Sequence, residues 1–259
     1  MSRVLLTVGM LALAWAGQIR SLPSTLRVLT YNVHHGEGTD ARFDLPRLAT
    51  IVRDVEPDLV ALQELDQGTA RSGGVNQLTE LGQLTGMHAE FGKAMNFEGG
   101  GYGVGILSRV PPVHVAVHPL PGSPDREPRT ALTVEVPLGE QGALLRFSST
   151  HLDDTRDATD RLAQAAYLNE LLVRDDGRPT ILAGDLNSRR ETEAMLVLET
   201  QWTNASAAAI PSPGAGGSRR LGFNHILVRP GNRWRVIETR LIDAPVASDH
   251  RPVLVVLGW

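Results

Sequence analysis

Residues 180–187 read Thr-Ile-Leu-Ala-Gly-Asp-Leu-Asn. Thr180 to Ala183 is short and apolar, which fits a buried strand, and Gly184-Asp185-Leu186-Asn187 is a turn. A polar group at the tip of a buried strand needs a partner or a cleft, because unopposed desolvation is costly. On its own the tetrapeptide reads as an Asx turn. The same pattern recurs along the chain, however: Asn32 in LTYNVHHG (29–36), Glu64 in LVALQELD (59–66), His151 in FSSTHLDD (147–154), and Asp249 with His250 in ASDHRPVLVV (247–256). Carboxylates, carboxamides and two histidines at strand tips suit a hard divalent cation and proton transfer to a phosphate oxygen.

Around these tips the sequence alternates strands with helices. Strands are expected at Leu26 to Val33, Leu59 to Gln63, Val104 to Leu107, Val113 to Val117, Thr130 to Val136, Leu144 to Thr150 and Thr180 to Ala183, and at 225–229, 234–242 and 253–257. Asp44 caps a helix with Pro46 in its first turn and Leu45, Leu48, Ile51 and Val52 as its stripe; Pro57 lies beyond it. A second helix is expected over 76–86, a third over 157–174 and a short one over Glu191 to Leu198. In the third, Leu162, Ala165, Ala166, Leu168, Leu171 and Leu172 are expected to face inward. Gly99 to Gly103 and Pro211 to Ser218 read as loops, the latter mobile. The mixture gives an α/β (α+β) protein. No repeat of solenoid or propeller length is present.

Bulk properties narrow the function. Net charge is −4, and the basic pairs Arg189-Arg190 and Arg219-Arg220 do not form a block, which argues against tracking a long DNA backbone. Arg3, the apolar stretch Val4 to Ala16 and Ala14-Trp15-Ala16 have signal-peptide architecture, too short for the ~20 residues of a comfortable span. The expected organisation is a signal peptide or anchor at residues 1–16, a linker at 17–25 and one domain at 26–259, in an exported protein. With no cysteine, neither a disulfide framework nor a lipid-attachment thiol exists. No HExxH or cysteine-based zinc pattern occurs.

Taken together, the Asn32, Gln63-Glu64, His151, Gly184-Asp185-Leu186-Asn187 and Ser248-Asp249-His250 segments resemble the endonuclease/exonuclease/phosphatase superfamily of metal-dependent phosphoesterases, the DNase I-like enzymes. The resemblance implies a four-layer α/β/β/α sandwich with the site at one edge of two packed sheets. It implies Glu64 as main ligand of Mg²⁺ or Mn²⁺, helped by Asn32 and Asp249. It gives catalytic roles to His151, Asp185, Asn187 and His250, and substrate contacts to Asn32, His34 and Arg129, the last at the site rim. Water activated by Asp185 or His250 would attack phosphorus in line.

One departure stands out. The family pattern has an aspartate that orients and charges the catalytic histidine, and here the segment is Phe223-Asn224-His225-Ile226-Leu227. An amide cannot hold a fully charged imidazolium, and the equivalent change costs about 10⁴ in a serine protease. The sequence therefore leaves two alternatives to a small-molecule or phospholipid phosphoesterase: an exported nonspecific nuclease, and a weakened or non-catalytic phosphate-binding module. It also leads to the expectation that Asn224→Asp raises activity.

Overall fold

Central strands covered on both faces read as unbroken apolar runs rather than alternating ones, and this chain is built from such strands. The computed structural model describes residues 21–139, 143–173, 176–210 and 222–259. The expected signal segment, residues 17–20 of the expected linker, the 211–218 loop and the Arg219-Arg220 pair lie outside the described residues.

In chain order the elements are β1 (Thr25–Asn32), α1 (Leu45–Asp54), β2 (Leu59–Gln67), α2 (Gln77–Thr85), β3 (His88–Phe97), β4 (Gly100–Ser108), β5 (His114–Pro119) and β6 (Thr130–Leu138). They continue with β7 (Ala143–His151), α3 (Thr159–Leu172), β8 (Thr180–Asp185), α4 (Glu193–Glu199), β9 (Thr203–Asn204), β10 (Asn224–Arg229), β11 (Arg235–Leu241) and β12 (Val253–Gly258). The strands form two six-stranded mixed sheets, ordered β11-β12-β1-β2-β4-β3 and β5-β6-β7-β8-β10-β9.

The two sheets pack face to face through Val28, Ala61 and Ile106 on one side and Val134, Phe147, Ile181 and Ile226 on the other. The reverse face of the first sheet, with Leu29, Val60 and Leu62, is covered by Leu48 and Val52 of α1 and Leu78 and Leu81 of α2. The reverse face of the second, with Leu182 and Leu227, is covered by Ala165 and Leu168 of α3 and Met195 and Leu198 of α4. This is the expected α/β/β/α sandwich. Each fully buried side chain of this kind contributes about 1.5–3 kcal/mol.

Each sheet contains one parallel pair joined by a helix, β1-α1-β2 in the first and β7-α3-β8 in the second. Ligands gather beyond the carboxyl ends of such strands, and there the chain places Asn32, Glu64, His151 and Asp185. Register aligns His151 with Asp185 on one side, while antiparallel β10 sets Asn224 against Asp185 on the other. Gly184 is required at this point, because a Cβ there would collide with the Thr150 carbonyl oxygen of β7.

Several expectations need correction. β3 is not among the expected strands, because it is a half-exposed edge strand whose apolar residues are interrupted by polar ones and form no continuous run. Of the expected 99–103 loop, only Gly99 turns, and residues 100–103 already belong to β4. Gly103 is glycine for a packing reason, since a Cβ would strike the Gly92 carbonyl oxygen of β3. Within α3, Ala166 is exposed and Gln164 is buried instead. Gln164 accepts from Asp153 N at 2.9 Å and donates to Pro121 O at 3.0 Å, which fixes the loop that follows His151. Within the expected linker, Leu22 is buried, donates to Pro137 O and accepts from Gly139 N, while residues 23–25 are exposed. No helix among the described residues is long and apolar enough to cross a membrane.

Candidate active site

The site assembles where the two sheets meet. Pairing between β2 and β4 slips between Leu62 and Leu65, and Glu64 sits at that bulge with φ 59°. A bulge re-aims a side chain at the cost of local backbone strain, and here it turns the Glu64 carboxylate toward the opposite sheet. Asn32 Nδ2 donates to Glu64 Oε1 at 2.7 Å and to Asp185 Oδ2 at 3.0 Å. One buried amide thus ties two carboxylates from different sheets. Its Oδ1 accepts from His34 N at 3.1 Å, so the oxygen that a metal would need is already engaged once.

Asp185 is fully buried. Its Oδ1 accepts from Asn187 N at 3.0 Å, and its Oδ2 lies 3.3 Å from His250 Nδ1 and 3.9 Å from His151 Nε2. Burial pushes its proton affinity up, but the two histidines, the Asn32 amide and the Asn187 N–H outweigh this and hold the carboxyl below its usual range. Glu64 is pushed the other way, mainly by burial and further by Asp185, against the Asn32 hydrogen bond. A buried carboxylate held in an unfavourable state is a place that a cation would relieve.

His151 is held from behind. Arg129 Nη1 is 2.9 Å from its Nδ1, and Asn187 Nδ2 is 3.1 Å from its Nε2 while donating to Leu152 O at 2.9 Å. A guanidinium only donates, so Nδ1 accepts and the ring hydrogen of the neutral form is on Nε2, where Asn187 Nδ2 is then a neighbouring donor rather than a hydrogen-bond partner. The Arg129 side chain is 3% exposed and pairs with Glu127 at 2.7 Å and Asp154 at 3.3 Å. It therefore braces His151 and also lines the cleft beside Glu64.

The Ser248-Asp249-His250 turn is anchored by Ser248 Oγ, which donates to Asn32 O at 2.8 Å and accepts from His250 N at 3.2 Å. Asp249 is half-buried beside it. Among the described residues, the three metal-ligating side chains whose donor atoms lie within 4.8 Å of one another are His34, His35 and Glu64, and Asp249 is not of that group. His35 is not among the expected site residues; its signal in the sequence is the doubled histidine.

Asn224 Nδ2 stands 3.5 Å from His250 Nδ1 and donates to Arg251 O at 3.0 Å; its Oδ1 is buried and has no hydrogen-bond partner among the described residues. Asp185, with Oδ2 3.3 Å from His250 Nδ1, is the carboxylate that faces the imidazole. An aspartate at 224 would lose the Arg251 contact and add a second buried anion. Asn224→Asp is accordingly expected to lower the melting temperature and to change kcat little against the ~10⁴ cost of losing a sole carboxylate partner. Steady-state rates and thermal melts check this, and a rise of that order would show that Asp185 does not serve the ring.

His225, next in sequence, points away from the cleft. Its Nε2 is 2.8 Å from Ser188 O and its Nδ1 is 3.3 Å from Asn204 Nδ2. Burial pushes its pKa from 6.5 down to about 4. The unfolded chain therefore binds the extra proton first, and stability present above pH 6.5 is lost as pH falls toward 4. The loss amounts to about 3 kcal/mol. Urea unfolding of wild type and His225→Gln at pH 7, 5.5 and 4.5 should show the variant losing less; parallel curves would contradict this.

These groups line a cleft of about 510 Å³ that includes Glu64, His151, Asp185, Asn187 and His250, with Arg156, Arg161 and Phe223 on its far wall. A second lobe of about 270 Å³ continues past Glu64 and His151 to His34, His35, Arg71, Phe97 and Tyr102. The arginines from residues 156 and 161 carried no strand-tip signal, because they enter from the loop after His151 and the first turn of α3.

The family model described as "Endonuclease/Exonuclease/phosphatase family" matches residues 29–250. The uncharacterized protein YbhP of Escherichia coli is 30% identical over 180 residues, 64% of this chain and 68% of YbhP. An endonuclease/exonuclease/phosphatase structure from Beutenbergia cavernae superposes with TM-score 0.73 at 25% identity, over 90% of this chain and 71% of its own. A mannosyl-6-phosphatase from Bacteroides thetaiotaomicron gives TM-score 0.72 at 20% identity, over 90% and 100% respectively.

Proposed function

Because the chain belongs to the endonuclease/exonuclease/phosphatase family of phosphoester hydrolases, we propose that it is a divalent-metal-dependent phosphoesterase acting on a small or phospholipid-type phosphate ester. The observation that carries this is the Asn32 amide, which holds Glu64 and Asp185 together beside two imidazoles. The oxygen donors fit Mg²⁺ or Mn²⁺: Glu64 is the half-buried, desolvated carboxylate in need of a cation, with Asn32 and Asp249 as its expected helpers. When bound, the ion would supply charge stabilisation to the phosphate oxygens.

The chain's own residues do the rest. Asp185 holds His250 through Nδ1, which leaves Nε2 to take a proton from the attacking water, while Asp185 itself is the other candidate base. His151 Nε2–H and the Asn187 amide stand side by side at the cleft floor, where one phosphate oxygen would accept from both. Arg129 keeps His151 in that donor form. In-line attack of the activated water would follow from this placement.

For the substrate, the net charge of −4 and the few arginines that line the cleft favour a compact phosphate ester over a long duplex. The likeness to a mannosyl-6-phosphatase puts sugar phosphates in the screen beside lipid headgroups. The test is a panel of sugar phosphates, phospholipid vesicles and plasmid DNA with Mg²⁺ or Mn²⁺. Faster turnover of the small or lipid esters supports the reading, and faster plasmid degradation favours the nuclease. Asn224 is the observation behind the third reading, a phosphate-binding module; saturable, metal-dependent binding of inorganic phosphate without any turnover would favour it. Export is proposed from Arg3 and the Val4 to Ala16 stretch, and fractionation of expressing cells tests it.

A further inference from the structure

We propose that His34 and His35 join Glu64 in holding the ion, so that this site takes a nitrogen-accepting transition-series divalent ion, from Mn²⁺ to Zn²⁺, in preference to Mg²⁺. The inference rests on the metal-dependent reading above and specifies its ion. Ligand atoms of the three side chains lie within 4.8 Å of one another.

The backbone is bent to bring them there. His34, His35 and Glu64 have φ of 47°, 43° and 59°. Non-glycine residues in the left-handed region cost about 1–3 kcal/mol each and persist where the surroundings enforce them. Of the seven non-glycine described residues with positive φ, these three and Asn187 are at the site. The turn is pinned on every side: His34 N donates to Asn32 Oδ1 at 3.1 Å, Gly36 N to Val33 O at 2.9 Å, and Gln77 Nε2 to His35 O at 2.6 Å.

The tautomer is set as well. His34 Nδ1 lies 3.1 Å from the Glu37 carbonyl oxygen, which can only accept. The ring hydrogen is therefore on Nδ1 and the Nε2 lone pair is available, the arrangement that metal-ligating histidines use when a backbone carbonyl holds their other nitrogen. His35 packs on His34 with ring centroids 4.3 Å apart, and its Nε2 is 3.7 Å from Glu37. Imidazole suits Zn²⁺ and its neighbours, whereas Mg²⁺ keeps oxygen ligands and water.

Metal-free full-length protein titrated with Mn²⁺ and followed by electron paramagnetic resonance tests this. Wild type should show ¹⁴N coupling from imidazole on the bound ion. His34→Ala/His35→Ala should lose the coupling and weaken Mn²⁺ by at least the ~10–100-fold that loss of a mere outer-shell partner costs, with Mg²⁺, read by competition, changing less. The single His34→Gln and His35→Gln variants, checked by circular dichroism, stand in if the double variant does not fold. Coupling that persists without both histidines, or Mn²⁺ bound through Glu64 with no nitrogen coupling, overturns the inference and leaves the phosphoesterase reading standing. Absence of any Glu64-dependent Mn²⁺ binding overturns both.

Discussion

Asp185→Asn is expected to reduce kcat by about 10⁴, the cost measured when an amide replaces the carboxylate that holds a catalytic imidazole, while KM moves little. The substitution keeps the shape of the side chain, so packing around fully buried residue 185 is preserved. What changes is charge and polarity. Asp185 accepts from Asn32 Nδ2 and Asn187 N and faces His250 Nδ1 at 3.3 Å. An asparagine must present an NH₂ to at least one of these donors. It also cannot stabilise the imidazolium that forms when His250 takes a proton. Steady-state kinetics give the effect, and a thermal melt within a few degrees of wild type shows that the fold is intact. Retention of most of the rate would remove Asp185 from the mechanism.

Glu64→Gln is expected to abolish the metal response and, at the same time, to stabilise the metal-free protein. The two effects have one cause. Burial raises the proton affinity of Glu64 above its ordinary value. With the folded-state pKa raised, the folded chain binds the proton more tightly than the unfolded one. Ionisation therefore costs stability as pH rises through the raised value, and the cost remains at neutral pH. Glutamine removes this cost. Divalent ion bound to the wild type would offset it and raise the melting temperature by mass action. Melts with and without Mn²⁺ check both signs at once. Wild type should melt lower than Glu64→Gln without the ion and gain on its addition, and the variant should not respond. A variant that melts lower and still responds to Mn²⁺ would place the ion elsewhere.

Much of this was legible because the central strands are buried on both faces. Leu59 to Leu62 and Thr180 to Ala183 read as apolar runs, and the polar residues ending them stood out. The tips of β1, β2, β7 and β8 converge because each sheet contains a parallel pair whose carboxyl ends share one edge. β3 was not legible, because an edge strand carrying Lys93 and Asn96 has no apolar run to show. The bulge at Glu64 was invisible as well, since pairing register is a property of two strands. Partnerships were the hardest to foresee. Nothing in the sequence sets Asp185 against a ring 65 positions later, or Arg129 behind His151. The same holds for His35, whose approach to Glu64 depends on the left-handed backbone of the turn. The amide at 224 is visible in the sequence, but its consequence depends on Asp185, which only the packed sheets set beside His250.

Hydrolysis of bis-p-nitrophenyl phosphate by the full-length protein, with and without Mg²⁺ or Mn²⁺ and beside Glu64→Gln, tests the central claim most directly. The site predicts nitrophenol release that requires the ion and is lost in the variant. Release that is equal with chelator present, or equal in folded Glu64→Gln, would contradict a metal-dependent phosphoesterase centred on Glu64 and Asp185.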